Sequence, residues 1–180
     1  MLPLRLNLNH YYMRRVLLIL TVLCGLSIGA FSQSSSAGAK WNIGIDPGIP
    51  LGSAHKIFPT TIGASVKYEL PVAATTYFTI SAGYQYFIYK DHISDVFDKS
   101  GEGIVPLKVG LKHYFDKGFF GEAQAGAAIP TEDGAKTSFV YAPGIGYTFS
   151  SGFEAGIRYE GYSSDGNNTG MLALRLGYRF

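Results

Sequence analysis

From about residue 40 to the C-terminus, apolar and polar residues alternate with a period of two. A β-strand sends successive side chains to opposite faces, so this period predicts strands whose two faces meet different surroundings. Clusters of Gly, Pro, Asp and Ser divide the region into eight such stretches, near 40–47, 60–70, 75–89, 104–115, 118–129, 138–149, 152–162 and 170–180. Only residues 91–99 carry a weak helical stripe. Ordinary strands run to about 5–6 residues. Most of these are longer, and a strand tilted across a bilayer needs about 9–11.

The connections alternate in length. Phe115-Asp116-Lys117-Gly118 and Phe149-Ser150-Ser151-Gly152 are tight turns, and Leu70 to Thr75 is short. Gly48 to Pro59, Lys90 to Gly103, Pro130 to Thr137 and Ser163 to Thr169 read as longer loops. Long and short in alternation is the pattern of an up-and-down antiparallel barrel with one plain rim and one elaborated rim. Pro143 falls inside the sixth stretch, where it cannot donate to the ladder, and with Gly144 it predicts a β-bulge.

One face of each stretch is apolar. In the last, Leu172, Leu174, Leu176, Tyr178 and Phe180 oppose Ala173, Arg175, Gly177 and Arg179. In the one before it, Phe153, Ala155, Ile157 and Tyr159 oppose Glu154, Gly156, Arg158 and Glu160. A soluble barrel would turn the apolar face inward; a transmembrane barrel turns it toward lipid and seals the polar face in the lumen. Three features favour the second arrangement. The polar face is rich in glycine (Gly44, Gly63, Gly83, Gly110, Gly126, Gly146, Gly156 and Gly177), which a solvated face would not need and a narrow lumen does. Its charges nearly balance: Lys67, Lys108, Lys112, Arg158, Arg175 and Arg179 stand against Asp46, Glu69, Glu122, Glu154 and Glu160, as a confined network requires. Rings cluster by height: Trp41, Tyr68, Phe78, Phe115, Phe119, Phe149, Phe153, Tyr178 and Phe180 lie near the short-turn ends, forming one aromatic girdle. Phe58, Tyr86, Tyr89, Phe139, Tyr141 and Tyr159 lie nearer the long-loop ends, forming a second.

The first 32 residues are of another kind. Met13-Arg14-Arg15, the apolar run from Val16 to Ala30 and the small residues Ala30 and Ser32 form a secretory signal peptide, with Met13 as a second candidate start. The run is too short for the about 20 residues of a membrane-spanning helix. Residues 33–39 are a polar spacer and 40–180 the barrel. Removing the leader takes away Arg5, Arg14 and Arg15, so Lys plus Arg falls from 15 to 12 against 13 Asp plus Glu. The formal net charge moves from +2 to −1, and no nucleic-acid partner is implied. The single cysteine, Cys24, leaves with the leader, so the mature chain relies on pairing and packing alone. Gly at 23 residues, with 13 Tyr and 12 Phe, suits an all-β chain.

The leader, the closing strand Leu172 to Phe180, and the run Ala142-Pro143-Gly144-Ile145-Gly146-Tyr147 with Gly156-Ile157-Arg158-Tyr159-Glu160-Gly161 resemble the outer-membrane protein β-barrel domain family of Gram-negative bacteria. The size is similar to that of its eight-stranded X type and of the barrel of outer membrane protein A. The resemblance implies residence in the outer membrane and contact with its lipid. A last strand ending Tyr178-Arg179-Phe180 looks like the signal read by the barrel-assembly machinery, although the Gly usual a few residues earlier is Arg175. The long loops would offer a surface to a partner.

Candidate chemistry is sparse. His55, His92 and His113 are too scattered for a metal site, and no cofactor motif is present. His92 and Ser94, with Asp95, Asp98 or Glu102, suggest the His, Ser and acid of a lipid-acting hydrolase at a barrel rim, but on a loop with no strand to fix them. Asp91, Asp95, Asp98 and Glu102 match no calcium loop. The expected role is structural, with a lumen filled by charge rather than a wide pore. A rim hydrolase and a soluble carrier of lipocalin type are the rivals.

Overall fold

The computed structural model describes residues 38–90, 98–132, 134–164 and 167–180. Among them, nine strands form one antiparallel sheet that closes on itself. They are β1 (Lys40–Ile45), β2 (Gly48–Pro50), β3 (Thr60–Pro71), β4 (Thr76–Ile88), β5 (Gly101–Tyr114), β6 (Phe119–Pro130), β7 (Ser138–Thr148), β8 (Phe153–Ser164) and β9 (Asn167–Arg179). β1 and β2 both lie between β3 and β9, so they are two halves of one stave and the barrel is eight-stranded. Each later strand pairs with its sequence neighbour in up-and-down order. Closure is tight at the short-turn rim, where the Trp41 amide donates to Phe180 O at 3.1 Å and the Phe180 amide to Trp41 O at 2.9 Å.

Three expectations need correcting. The first strand does not end at 47. It pauses at Asp46-Pro47 and resumes as β2, with the inward-outward alternation unbroken across the pause. Pro47 still accepts from the Leu174 amide at 2.9 Å, so only its missing N–H interrupts the ladder. Pro143 makes no bulge. The β7–β8 register runs Tyr141↔Gly161 and then Gly144↔Arg158 without a slip, and β7 pairs Pro143 with Ala123 on its other side. Its missing donor falls on the β8 side, where the ladder skips two residues and continues. Pro106 in β5 uses the same device, paired with Ala128 of β6 across a gap in the β4 ladder. The segment Ser163 to Thr169 is not a long loop: Ser163 pairs with Asn168 and Ser164 with Asn167. A polar run reads as loop by composition, yet a hairpin that rises beyond the barrel wall has solvent on both faces and can be polar throughout. The signal for it was Asp165-Gly166, the dipeptide favoured in two-residue hairpins.

At the short-turn rim Gly152 has φ +91°, a conformation that a Cβ would strain. At the other rim a 3₁₀ turn, Ala54–Lys56, folds the β2–β3 connection back over the barrel mouth. The leader, residues 91–97 of the weak helical stripe at 91–99, and His92, Ser94 and Asp95 of the suggested hydrolase lie outside the described residues.

Candidate functional site: the lumen and its rims

Strand parity decides which side chains are enclosed. Along β9, Leu172 and Leu174 are 48% and 42% exposed, while Arg175 is 5% exposed. The same sense holds on every strand: Ile43, Ile49, Ile62, Ile80, Leu107, Val109, Leu111, Ile129, Ile145 and Ile157 face out. The charged residues face in, so the barrel has an apolar exterior and an ionic interior. That is the inverse of a soluble carrier, whose ligand-holding interior must be apolar, and it removes the lipocalin-like reading.

The enclosed charges form two clusters stacked along the axis. Nearer the short turns, Lys67 Nζ meets Glu122 at 2.8 and 3.0 Å and Glu154 Oε1 at 3.4 Å. Lys112 Nζ donates to Glu69 Oε1 at 3.0 Å and also to Glu154 Oε2. Arg179 Nε reaches Glu69 Oε2 at 2.7 Å, and Thr148 Oγ1 adds a donor to Glu154 at 3.1 Å. This cluster holds three cations and three anions. Further up, Arg175 Nη1 meets both oxygens of Asp46, at 3.1 and 3.3 Å, and its Nη2 donates to Asn42 Oδ1 at 2.7 Å. Ser65 Oγ donates to Asp46 Oδ2 at 2.6 Å, and Arg158 Nη2 lies 3.2 Å from Asp46 Oδ1. Glu160 accepts from the Lys108 ammonium and the Tyr162 hydroxyl, and its Oε1 lies 2.7 Å from Arg158 Nε as an ion pair without an aligned hydrogen bond. The weak link between the clusters is Arg175 Nε to Glu154 Oε1, 3.9 Å. The interior-facing ten read from sequence (Lys67, Glu69, Lys108, Lys112, Glu122, Glu154, Arg158, Glu160, Arg175 and Arg179) all lie in these clusters, together with Asp46 from the pause between β1 and β2.

The lumen is shut at both ends by rings that polarity alone did not reveal. At the short-turn end Tyr77, Tyr114 and Phe120 turn inward. Lys112 Nζ sits 4.1 Å from the Phe120 ring centre, and the Arg179 guanidinium carbon 4.8 Å from that of Tyr77, so the rings cap cations by their π faces. At the long-loop end an apolar layer of Phe87, Val140, Tyr162, Met171, Ala128 and Ala173 fills the barrel. Phe58 comes down on it from the β2–β3 connection, edge to Phe87 at 5.5 Å and stacked on Tyr89 at 5.0 Å. Phe58 thus belongs to this plug and not to an outer band, because the 3₁₀ turn reverses the chain before it. No sequence signal separates an inward from an outward ring except strand parity, which does not reach into a loop.

Of the rings read as a short-turn girdle, Trp41, Phe115, Phe149, Phe153, Tyr178 and Phe180 are exposed, while Tyr68 and Phe78 are half-buried, all on outward positions. Neighbours touch in pairs: Trp41–Tyr68 at 4.6 Å, Phe149–Phe153 at 5.7 Å and Tyr178–Phe180 at 6.2 Å between centres. At the long-loop rim, Tyr89 donates to Glu102, and burial followed by that carboxylate holds its phenol well above the ordinary value. Lys99 and Glu132 pair at 2.6 Å between two exposed loops, and the hydrogen bond to Glu132 raises the lysine. Among the described residues no cluster of His, Cys, Asp and Glu could hold a metal ion. His113 is an exposed partner of Thr76 at 2.8 Å near the short-turn rim.

No protein-family model matches the chain, and no curated protein sequence matches it. Solved structures of similar fold do exist. The outer membrane protein Ail of Yersinia pestis, in a phospholipid bilayer nanodisc, superposes with a TM-score of 0.56 at 17% identity, over 79% of this chain and 98% of that one. Neisserial surface protein A superposes with a TM-score of 0.55 at 11% identity, over 79% and 96%. The N-terminal β-barrel of Pseudomonas aeruginosa OprF gives 0.51 at 15%, over 79% and 98%. At these identities the likeness concerns the fold: a closed eight-stranded antiparallel barrel of the outer-membrane kind.

Proposed function

We propose that this chain is an integral outer-membrane barrel whose work is structural, holding a stable wall in the bilayer and presenting its long-loop rim to a surface partner. The observation that carries this is the reversal of polarity, with Leu172 and Leu174 outside and Arg175 inside one strand. Apolar side chains on the outside of a barrel are stable against hydrocarbon and unstable against water. The outward rings at the short-turn rim fit the headgroup level, and the strand ending at Phe180 fits recognition by the barrel-assembly machinery. The lumen does not serve as a pore, since two ion-paired clusters and two ring layers fill it. The leader would deliver the chain across the inner membrane.

The test is fractionation. The protein stays with outer membranes through a carbonate wash and migrates faster on gels unheated than boiled. Release by the wash, or one mobility for both samples, would sink the assignment. The rival rim hydrolase predicts ester or lipid deacylation lost in His92→Ala and Ser94→Ala; the structural role predicts no such activity in the parent protein.

A further inference from the structure

The upper cluster is not neutral. Among the described residues Lys108, Arg158 and Arg175 pair closely with two anions, Asp46 and Glu160, and Arg175 reaches the lower cluster's Glu154 only at 3.9 Å. The lower cluster matches three cations with three anions, so the network as a whole carries one more cation than anions. None of the upper cluster's five side chains is more than 12% exposed. A surplus positive charge held away from water is costly unless a counter-charge joins it.

A cavity of about 20 Å³ lies beside the surplus, with Arg158 and Arg175 both in its lining. Ala142, Gly144 and Gly156 supply its small walls, and Gln124, Phe120, Ile145 and Ile157 also line it. Glu122 also borders it, but both its oxygens are held by Lys67, at 2.8 and 3.0 Å. Arg175 Nε is buried and has no hydrogen-bond acceptor, with Glu154 no nearer than 3.9 Å. Arg158 Nε lies 2.7 Å from Glu160 but is not aligned to donate to it. Room for about one water is ~10–15 Å³ on the same scale, so one small ion fits and a polyatomic anion does not.

We propose that this cavity binds a single halide-sized monovalent anion, held by the Nε–H groups of Arg158 and Arg175, which neutralises the upper cluster. A water would satisfy a donor but leave the surplus charge, and proton loss from Lys108 would remove the charge but leave the donor unmet. A single bound anion does both at once. The proposal depends on the lumen geometry and not on which partner the rim serves.

The probe is bromide, used with the folded full-length barrel in detergent. Crystals soaked in bromide should show anomalous density within hydrogen-bonding distance of Arg175 Nε. The unfolding temperature, followed by heat-modifiable mobility, should rise with bromide over gluconate at matched ionic strength. For a chain of this size the rise is about 3–5 °C per tenfold in concentration above the dissociation constant. Gln124→Glu places a carboxylate at the cavity and should abolish both signals. If that variant does not fold, the parent protein decides alone: water density without an anomalous peak, or equal unfolding temperatures in bromide and gluconate, overturns the proposal.

Discussion

Glu154 is the most heavily engaged anion in the lumen, touching Lys67, Lys112, Thr148 and, more distantly, Arg175. Replacing it with leucine leaves two buried ammonium groups sharing Glu69 and Glu122. Breaking a buried pair from one side costs about 3–5 kcal/mol, so Glu154→Leu should lower the urea midpoint of the barrel in vesicles by that equivalent; an unchanged midpoint would mean that water reaches the lumen freely. Lys99→Ala is the matching control. Its pair with Glu132 joins side chains 58% and 38% exposed, where water screens the charges, and the midpoint should stay within error. The residues of the inner network were legible from sequence because each sits on the polar parity of its strand. Their partners were not. Lys67 and Glu122 are 55 positions apart, and they meet only because the stagger of closed strands brings β3 and β6 to one height across the lumen.

At the scale of the strand, parity and close approach set what each position tolerates. Leu174 faces outward from β9, opposite Ile157 of β8. Arginine there should destabilise by about 2–4 kcal/mol if the position lies near the bilayer midplane, measured as the shift in reversible unfolding into vesicles; a neutral result would mean that the wall does not face lipid. Gly126 shows the opposite constraint. A Cβ on it would collide with Leu107 O and lie 2.8 Å from Lys108 Cα, so β5 could not keep its distance. Gly126→Ala should destabilise by about 1–3 kcal/mol through overpacking, read in the same assay. The two strand prolines were visible in the sequence, but their consequence was not. A proline breaks a ladder only if its nitrogen points at a partner's carbonyl. For Pro106 and Pro143 that side is β4 and β8, where each ladder skips two residues and resumes in register. Composition cannot tell which neighbour a nitrogen faces.

For the whole molecule, the decisive property is a lumen filled along its length. Rings close the short-turn end, charge pairs fill the middle, and Phe58 with Phe87, Tyr162 and Met171 closes the long-loop end. Planar bilayers carrying the protein should therefore show no steady conductance, and Phe58→Ala alone should not open one, because the ionic layers lie beneath it. A continuous current through the parent protein would contradict a filled interior.

The sequence by itself determined the strand period, the up-and-down order and which residues share a face. Those follow from local geometry: a strand repeats every two residues, and a turn declares itself in a few side chains. Only the tertiary structure decided that Phe58 plugs the mouth, that Asp46 joins Arg175, and that the upper charges fail to balance. Each depends on the stagger at which the strands close, which sets heights across the barrel and leaves no periodic trace in any one strand.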